Sequence, residues 1–336
     1  YGSLNSMLFH DTVAWAVVGD PFNNVPLILT SKDGLTWRED TVEGITEYVS
    51  DIAFANDTLG YMSGYNGMIY RTTDAGNNWV EAETDVTRRL TAITASMVHD
   101  TIVWGWAVGF NGTIIRNIFD VDTVWEKVPS GTEKHLYDIA FYDAWNGYAV
   151  GQNGALLKIT STIGNYDVTP IASGVNADLY DITYVTESLA FIVGFNGKIF
   201  KFNFADKNKA LVPVPSGVTT QLNSVYFPQP NTGYIAGNGG LVLKSTDSGN
   251  SWLPLRTNTF NNLREVWFSN VNKGYVFGSG ATILYTEDGG GPTIQPGIGD
   301  MAKVENVIDI YPNPTGGNFT ISLDLQHADD VSAFLY

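Results

Sequence analysis

Short apolar stretches recur along the chain in a fixed order and at a nearly constant distance. One stretch approximates the pattern L-x-x-[I/V]-x-F, and its copies start near residues 4, 49, 90, 136, 179, 222 and 263. A second apolar stretch follows each copy and ends in glycine, at Gly19, Gly64, Gly109, Gly151, Gly194, Gly237 and Gly278. The successive glycines are 41 to 45 residues apart. Seven copies at one period indicate a repeat architecture.

Each repeat contains four predicted β-strands, labelled A to D. Strand A is the L-x-x-I-x-F stretch, strand B ends at the glycine, strand C follows an Asn-Gly turn, and strand D begins beside a tryptophan. Four short antiparallel strands in roughly 40–50 residues make one blade of a β-propeller. The fold class predicted is therefore all-β: a seven-bladed β-propeller of four-stranded antiparallel blades over residues 1–288, followed by a partial β-sandwich tail.

The seventh repeat departs from this pattern. It contains TEDGG at 286–290 but no tryptophan-led strand D after it. Residues upstream of Tyr1 or the segment PTIQP at 292–296 are the two predicted sources of the missing strand.

Two turn motifs recur inside the repeats. The B–C turn reads G-x-N-G, and Asn and Gly both tolerate the positive φ that a tight turn needs. The C–D turn reads T-x-D-x-G-x-x-W, in which the Asp oxygens are predicted to accept backbone N–H groups while the tryptophan packs under the hairpin. Graded copies of one turn favour a structural role over a catalytic or metal-binding one. The predicted structural residues are Asp33, Trp37, Asp74, Gly76, Trp79, Asp247, Gly249, Trp252 and Asp288.

Together these motifs resemble the Asp-box (BNR) repeat of sialidase-like propellers, and most closely the photosystem II stability and assembly-factor group. The resemblance covers residues 1 to about 290. It implies a seven-bladed scaffold that binds other proteins. It does not imply photosynthesis, since the same repeat is common in secreted bacterial proteins.

The C-terminal segment carries a second resemblance. YPNPTGGNFTI at 311–321 resembles the start of the sorting domain of type IX secretion substrates in Bacteroidetes. We expect a truncated copy of this small β-sandwich at 304–336, preceded by a Gly/Pro-rich linker at 289–303. The resemblance implies contact with the type IX export machinery and an extracellular or outer-membrane-surface location.

Composition narrows the choice of partners. The formal net charge is −17 and there are no cysteines. An acidic surface repels phosphate backbones and anionic lipid, which argues against nucleic-acid or membrane binding. Without cysteine there is no disulfide and no thiolate metal site. No apolar run approaches the roughly 18 residues of a membrane helix, and no cofactor is predicted.

In a propeller the B–C turns and D–A connections share one face, and the C–D turns lie on the opposite face. The variable residue of each B–C turn and the residues before strand A are therefore candidates for ligand binding. They are Tyr65, Phe110, Gln152, Phe195 and Asn238 in the turns, and Tyr48, Arg88, Arg89 and His135 in the connections. Aromatic side chains at such a rim can stack on sugar rings or on a partner's side chains.

The third residue of strand A is acidic in four blades, at Asp51, Asp138, Asp181 and Glu265. This position predicts either an acidic ring that holds a cation or a repeated bond from a side chain to the backbone within the blade. The hydrogen-bonding interpretation is favoured because carboxylates at strand edges accept nearby N–H groups.

No motif indicates catalysis. The four histidines are scattered, and neither a P-loop nor G-x-S-x-G occurs. A sialidase would need an arginine triad and a Tyr/Glu pair, and no F/Y-R-I-P segment precedes the blades. The sequence favours a secreted or surface-exposed, non-catalytic scaffold that binds protein or glycan at the B–C face. The alternative is a glycoside hydrolase or lyase acting on extracellular polysaccharide.

Overall fold

A computed structural model describes most of the repeat region. The described residues are 3–10, 13–19, 26–32, 36–40, 45, 47–98, 102–118, 124–162, 164–206 and 211–291. Of the predicted linker only 289–291 are described, and the predicted sorting-domain segment at 304–336 lies outside the described residues.

The described residues form six sheets in chain order; five of them are single blades and one joins two blades, which makes seven antiparallel blades. The strands, blade by blade, are β1 (Ser3–His10), β2 (Val13–Gly19), β3 (Pro26–Ser31) and β4 (Arg38–Asp40); β5 (Val49–Phe54), β6 (Gly60–Gly64), β7 (Ile69–Thr72) and β8 (Val80–Thr84); β9 (Leu90–Val98), β10 (Ile102–Gly109), β11 (Ile114–Ile118) and β12 (Val124–Lys127); β13 (Leu136–Phe141), β14 (Asn146–Gly151), β15 (Ala155–Thr162) and β16 (Asn165–Pro170); β17 (Leu179–Tyr184), β18 (Leu189–Gly194), β19 (Ile199–Asn203) and β20 (Leu211–Val214); β21 (Leu222–Gln229), β22 (Thr232–Gly237), β23 (Val242–Ser245) and β24 (Leu253–Leu255); and β25 (Leu263–Phe268), β26 (Gly274–Gly278) and β27 (Ile283–Thr286).

The blades close into a ring. The A strands contact one another in the order β1, β5, β9, β13, β17, β21 and β25, and β25 contacts β1 again. The A strand of every blade therefore lies at the centre of the ring. The predicted all-β, seven-bladed propeller is confirmed.

Two blades share an unexpected connection at their outer strands. β8 of blade two pairs in parallel with β12 of blade three, through Glu83 with Val124 and Thr84 with Trp125. Blades two and three thus form one eight-stranded sheet. Blade seven has three strands within the described residues, and its β27 is half-buried throughout, whereas β7 of blade two is mostly buried.

The tryptophans reach further than the hairpin under which they were predicted to pack. Trp125 of blade three meets Tyr61 of blade two edge-on at a ring distance of 5.4 Å. In the same way Trp37 of blade one meets Phe277 of blade seven at 5.8 Å. Each of these tryptophans packs against the preceding blade, and the Trp37 contact spans the closure of the ring.

Side chains of the A strands connect each blade to the next. An A strand is the inner edge of its sheet, so its outward N–H and C=O groups have no strand partner and need other bonds. Third-position side chains accept fourth-position N–H groups of the next blade, at N–O distances of 2.7 Å for Asp51 with Ile93, 2.9 Å for Asp138 with Ile182, 2.6 Å for Asp181 with Val225 and 3.3 Å for Ser224 with Val266.

Second-position side chains complete the set, by donating to the carbonyl of the first strand residue in the next blade. These bonds join Asn5 to Val49 at 3.1 Å, Thr91 to Leu136 at 2.7 Å and Asn223 to Leu263 at 2.5 Å. Each junction from blade one to blade seven thus carries at least one such bond, which we call an inter-blade clamp. The sequence predicted a bond within the blade, and Asp51 does accept the N–H of its neighbour Ile52. The clamps are additional bonds that cross from one blade to the next.

A repeated bulge makes the clamps possible. The pairing of strands A and B shifts by one residue at the second position in all seven blades, for example between Val49 and Asp51 and between Leu136 and Asp138. A bulge disrupts the alternation of side chains between the two sheet faces. Two consecutive residues can therefore both reach the neighbouring blade.

The B–C turns adopt the predicted conformation. Asn66, Asn111, Asn153 and Asn196 have φ between 49° and 58°, and a glycine with positive φ follows each of them. A Cβ atom built on the last of these glycines, Gly197, would overlap the carbonyl oxygen of Val218 in the D–A connection. The turn therefore needs glycine both for its dihedral angle and for close backbone approach.

This contact predicts different costs for two glycines of blade five. Gly217 has the same kind of φ, +74° against +68° at Gly197, but its Cβ would meet no described atom within 4 Å. We expect Gly217→Ala to lower the free energy of unfolding by roughly 1–2 kcal/mol through its dihedral angle. Gly197→Ala should cost about 1–3 kcal/mol more, because the overlap forces the backbone to move. Urea unfolding of both variants tests this, and equal losses would contradict it.

Candidate ligand-binding face

Backbone hydrogen bonds tie each B–C turn to the connection that enters strand A. The N–H of the variable turn residue donates to the carbonyl of the residue immediately before strand A. The N–O distances are 2.8–3.0 Å for the pairs Tyr65–Tyr48, Phe110–Arg89, Gln152–His135, Phe195–Asp178, Asn238–Gln221 and Ser279–Asn262. The two sets of candidate residues therefore lie side by side, in pairs joined by backbone hydrogen bonds, on one face of the ring.

In blades two to five these pairs merge into one continuous group of side chains. We call it the aromatic arc: Tyr48, Tyr65, Arg89, Phe110, His135, Tyr137 and Tyr180.

Arg89 lies at the centre of the first half of the arc. Its guanidinium carbon is 4.8 Å from the ring centre of Tyr65, 5.6 Å from that of Phe110 and 5.9 Å from that of Tyr48. Its Nε donates to Ser50 Oγ and its Nη1 to the Tyr65 hydroxyl, both at 3.3 Å. Cation–π contacts of this kind fix the orientation of all three rings.

The second half of the arc begins at Phe110, which stacks on His135 at 4.3 Å with the planes 14° apart. The N–H of Asn111 donates to His135 Nδ1 at 3.0 Å, so Nδ1 is the acceptor nitrogen in this arrangement. His135 meets Tyr137 at 6.5 Å, and Tyr137 meets Tyr180 at 5.3 Å.

Asp178 closes this end of the arc. Its carboxylate accepts the Asn153 N–H at 2.8 Å and the Tyr137 hydroxyl at 3.4 Å. Burial, Asp178 and Tyr180 raise the pKa of Tyr137 to about 12. Tyr137 therefore stays a neutral hydrogen-bond donor, and this end of the arc combines apolar rings with fixed hydroxyl groups.

The other predicted residues lie on the same face but outside the arc. Phe195 is 53% exposed, and Gln152 Oε1 accepts the N–H of His135. Asn238 Oδ1 accepts a hydrogen bond from Asn223 at 2.9 Å. Arg88 is exposed in the connection and contributes no ring contact to the described arc.

Sequence reasoning missed Tyr137 and Tyr180. Both occupy the second position of strand A, in LYDIAF and LYDITY, where an ordinary strand residue was expected. The bulge changes where this position points, and the repeated Tyr in two successive copies was the available signal.

The C–D turns lie at the opposite ends of strands C, away from the arc. Asp74 Oδ1 accepts the Asn78 N–H at 2.9 Å and the Thr72 hydroxyl at 2.8 Å, while Trp79 Nε1 donates to Gly76 O at 3.0 Å. Asp247 repeats these bonds with Ser245 and Ser251. Asp288 accepts the Gly290 and Gly291 N–H groups even without a tryptophan, whereas Asp33 lies outside the described residues.

The acidic third positions of strand A do not assemble into a metal site. Among the described residues, no group of three or more His, Asp or Glu side chains is arranged to hold a metal ion. Burial and the Asp181 carboxylate raise the pKa of Asp138 well above its usual range. Burial also raises the pKa of Asp181, against the hydrogen bond from Asp138. A side-chain hydrogen bond joins the two carboxyl groups, which requires that the pair hold a proton.

The central carboxyl groups predict an unusual dependence of stability on pH. Burial raises the pKa of Asp51 from 3.8 to about 6, although bonds from Ser6 and the Ile93 N–H oppose it. The folded chain therefore binds this proton more tightly than the unfolded chain. Its contribution to the free energy of unfolding is present below about pH 4 and is lost as the pH rises through about 6. The loss is at most about 3 kcal/mol, since tenfold in proton affinity is about 1.4 kcal/mol.

Urea unfolding of the wild type and Asp51→Asn across this range measures the effect. The stability of the wild type relative to the variant should fall between about pH 4 and 7, because Asn does not titrate. Asp247→Asn is the control of opposite sign. Burial alone would raise the Asp247 pKa, but bonds from Ser251, Ser245 and Asn250 lower it to about 2. Its contribution should be lost only as the pH falls below about 4. If the free energy of unfolding differed between the wild type and Asp51→Asn by the same amount at every pH, the raised pKa of Asp51 would be contradicted.

Fold and face together define a seven-bladed β-propeller with a preorganised loop face. No protein-family model and no curated protein matches the sequence. Similar solved structures include YCF48 bound to D1 peptide, with a TM-score of 0.68 and 16% identity over 85% of this chain and 93% of that chain.

YCF48 from Cyanidioschyzon merolae has a TM-score of 0.67 and 18% identity over 85% and 96% of the two chains. The WD40 β-propeller domain of Doa1 has a TM-score of 0.62 and 10% identity over 84% and 92%. At these identities the similarity establishes the propeller fold. The Asp-box assignment and the sorting-domain assignment remain predictions. None of the described residues belongs to a helix with the length and apolarity needed to cross a bilayer.

Proposed function

We propose that this protein is a non-catalytic scaffold that binds an extended segment of another protein across the aromatic arc. The observation that carries the proposal is the arc itself. Three of its six rings surround the guanidinium of Arg89 and the other three continue the row, and backbone hydrogen bonds hold the turns in place. Aromatic side chains offer a large contact area at small cost in conformational entropy. Tyr65, 38% exposed, presents such a surface to a ligand.

The arrangement suits a peptide with apolar or aromatic side chains separated by polar backbone. The rings of Tyr65 and Phe110 offer stacking surfaces, while the Tyr137 hydroxyl and the donors of Arg89 provide hydrogen bonds between them. A partner with some positive charge is favoured by the net charge of −17. The YCF48 structure bound to D1 peptide supports the proposal, because it is a protein of this fold that holds a peptide.

A random-peptide display against the immobilised full chain tests this function. We expect enrichment of related sequences whose affinity falls at least about tenfold in Tyr65→Ala and in Phe110→Ala, since truncation of a central interface aromatic costs about 2 kcal/mol or more. Val80→Ala is the matched control in the blade of Tyr65, because Val80 is 63% exposed on the outer strand. Its affinity should be unchanged.

Two results would contradict the proposal. One is that the enriched peptides bind Tyr65→Ala and Phe110→Ala with the same affinity as the wild type. The other is release of reducing sugar from a polysaccharide panel by the purified chain, which would favour the glycoside hydrolase or lyase alternative.

We also propose that the protein acts outside the cell or on the outer-membrane surface after type IX export, and that its C–D turns are true Asp-boxes. The motif YPNPTGGNFTI at 311–321 supports the first, and the repeated Thr/Ser–Asp–Gly bonding supports the second. Immunoblots of medium, surface and periplasm in the encoding organism test the location. We expect periplasmic accumulation when the type IX channel is inactivated, and an unchanged distribution would contradict this.

A further inference from the structure

The backbone of the two turns that carry Tyr65 and Phe110 is already hydrogen-bonded. The N–H of each residue donates to the carbonyl of the residue before strand A, at 2.9 Å in both turns. The carbonyl of each residue accepts the N–H three positions later, from Met68 at 3.0 Å and from Thr113 at 3.2 Å. A ligand that adds a strand to a sheet needs a row of unpaired backbone groups. The arc is therefore suited to binding through its side chains and not by strand addition.

The strongest acceptors beside the described rings, a carboxylate and an imidazole nitrogen, already have donors. Asp178 accepts the Asn153 N–H at 2.8 Å and the Tyr137 hydroxyl at 3.4 Å. His135 Nδ1 accepts the Asn111 N–H at 3.0 Å. A ligand N–H group laid on these rings would lose its bond to water without gaining a comparable acceptor, which is costly. The arc therefore disfavours a peptide backbone that is rich in N–H groups.

Donors, in contrast, remain at Arg89 and at the hydroxyl beside it. A guanidinium has five N–H groups, and the described hydrogen bonds use one at Nε, towards Ser50, and one at Nη1, towards Tyr65. Because the Tyr65 hydroxyl accepts that bond, its own proton can be donated to a ligand. The arc thus offers donors together with ring faces. This combination suits a ligand that presents carbonyl oxygens and apolar rings.

A proline-rich segment has both of these properties. Proline has no backbone N–H, whereas its carbonyl is an acceptor and its side chain is an apolar ring. Such segments form the polyproline II helix, which has no internal hydrogen bonds, so its carbonyls are open to outside donors. The helix exists before binding, so little conformational entropy is lost when it docks on an aromatic-lined surface. An ordinary extended peptide would instead need acceptors for its N–H groups.

The rings of the arc keep surface that such a helix can reach. Tyr65 is 38% exposed, and Phe110, Tyr137 and Tyr180 are half-buried. Within each half of the arc neighbouring rings lie 4.3–6.5 Å apart, close enough to form a continuous row. Since the turns are fixed by backbone hydrogen bonds, the row does not have to be ordered when a ligand binds.

We propose that the aromatic arc binds proline-rich segments of a partner protein in the polyproline II conformation. This inference rests on the proposed function, because it names the class of peptide that the same site takes. It is narrower than that function, since it requires proline in the ligand and not only an extended chain.

Isothermal titration calorimetry of the full chain with a peptide of ten prolines, blocked at both ends, tests the inference. The control ligand is a blocked Gly-Ser repeat of the same length, which carries N–H groups and behaves as a flexible coil. We expect the proline peptide to bind and the control not to bind at the same concentration. Tyr65→Phe keeps the ring but removes the hydroxyl donor, and should weaken binding about two- to tenfold. Phe110→Ala should weaken it at least about tenfold.

Phe260→Ala is the matched control variant. It makes the same change as Phe110→Ala at a ring that is 93% exposed in the connection before β25, outside the arc. Its affinity for the proline peptide should equal that of the wild type. Unfolding curves for every variant separate loss of binding from loss of fold.

Three results would overturn the inference. The first is equal binding of the proline and Gly-Ser peptides, and the second is binding of the proline peptide that is unchanged in both Tyr65→Phe and Phe110→Ala. The third is no binding of the proline peptide while peptide display enriches arc-dependent sequences without proline, which would leave the proposed function standing. If display also yields no arc-dependent peptide, the proposed function fails together with this inference.

Discussion

The inner edge of each blade is the constraint on which the rest of this structure depends. Seven A strands meet at the centre of the ring with polar backbone groups that no neighbouring strand can pair. At the junctions from blade one to blade seven, side chains from the preceding blade bond to some of these groups, through Asp51, Asp138 and Asp181 as acceptors and Asn5, Thr91 and Asn223 as donors. Each bond satisfies a polar backbone group at a strand edge and also joins one blade to the next. The same hydrogen bonds therefore serve both the strand edges and the assembly of the ring.

The bulge that makes these clamps possible also connects the centre of the ring to its ligand face. It lets the second and third residues of strand A both reach the next blade, and in blades four and five the second residues, Tyr137 and Tyr180, extend the arc. Carboxylates gathered at the centre are costly to ionise, and the proton shared by Asp138 and Asp181 relieves part of that cost. A change at the third position therefore affects blade spacing, central charge and the position of the adjacent tyrosine together.

The seven blades and the turn glycines were predictable because the same sequence pattern occurs in seven copies. The partners of the repeated residues were not, because a period carries no information on which neighbour a side chain reaches. Asp138 was expected to bond within its blade, and besides the N–H of Ile139 there it also accepts that of Ile182 in the next blade. Within one repeat, Tyr137 was indistinguishable from an ordinary strand residue until the bulge was known. The pairing of β8 with β12 rests on two residue pairs, too short a segment for any pattern.

In the B–C turn the fold requires the glycines and the asparagine, and it leaves the second residue free to vary. In GYNG and GFNG the glycines and the asparagine are set by φ and by backbone contact, while the side chain of the second residue has no part in holding the turn. Each of these blades thus presents one replaceable position on a constant backbone frame. Over evolutionary time such a surface can acquire a new specificity by single substitutions at Tyr65, Phe110 or Phe195, with no insertion and little penalty in folding.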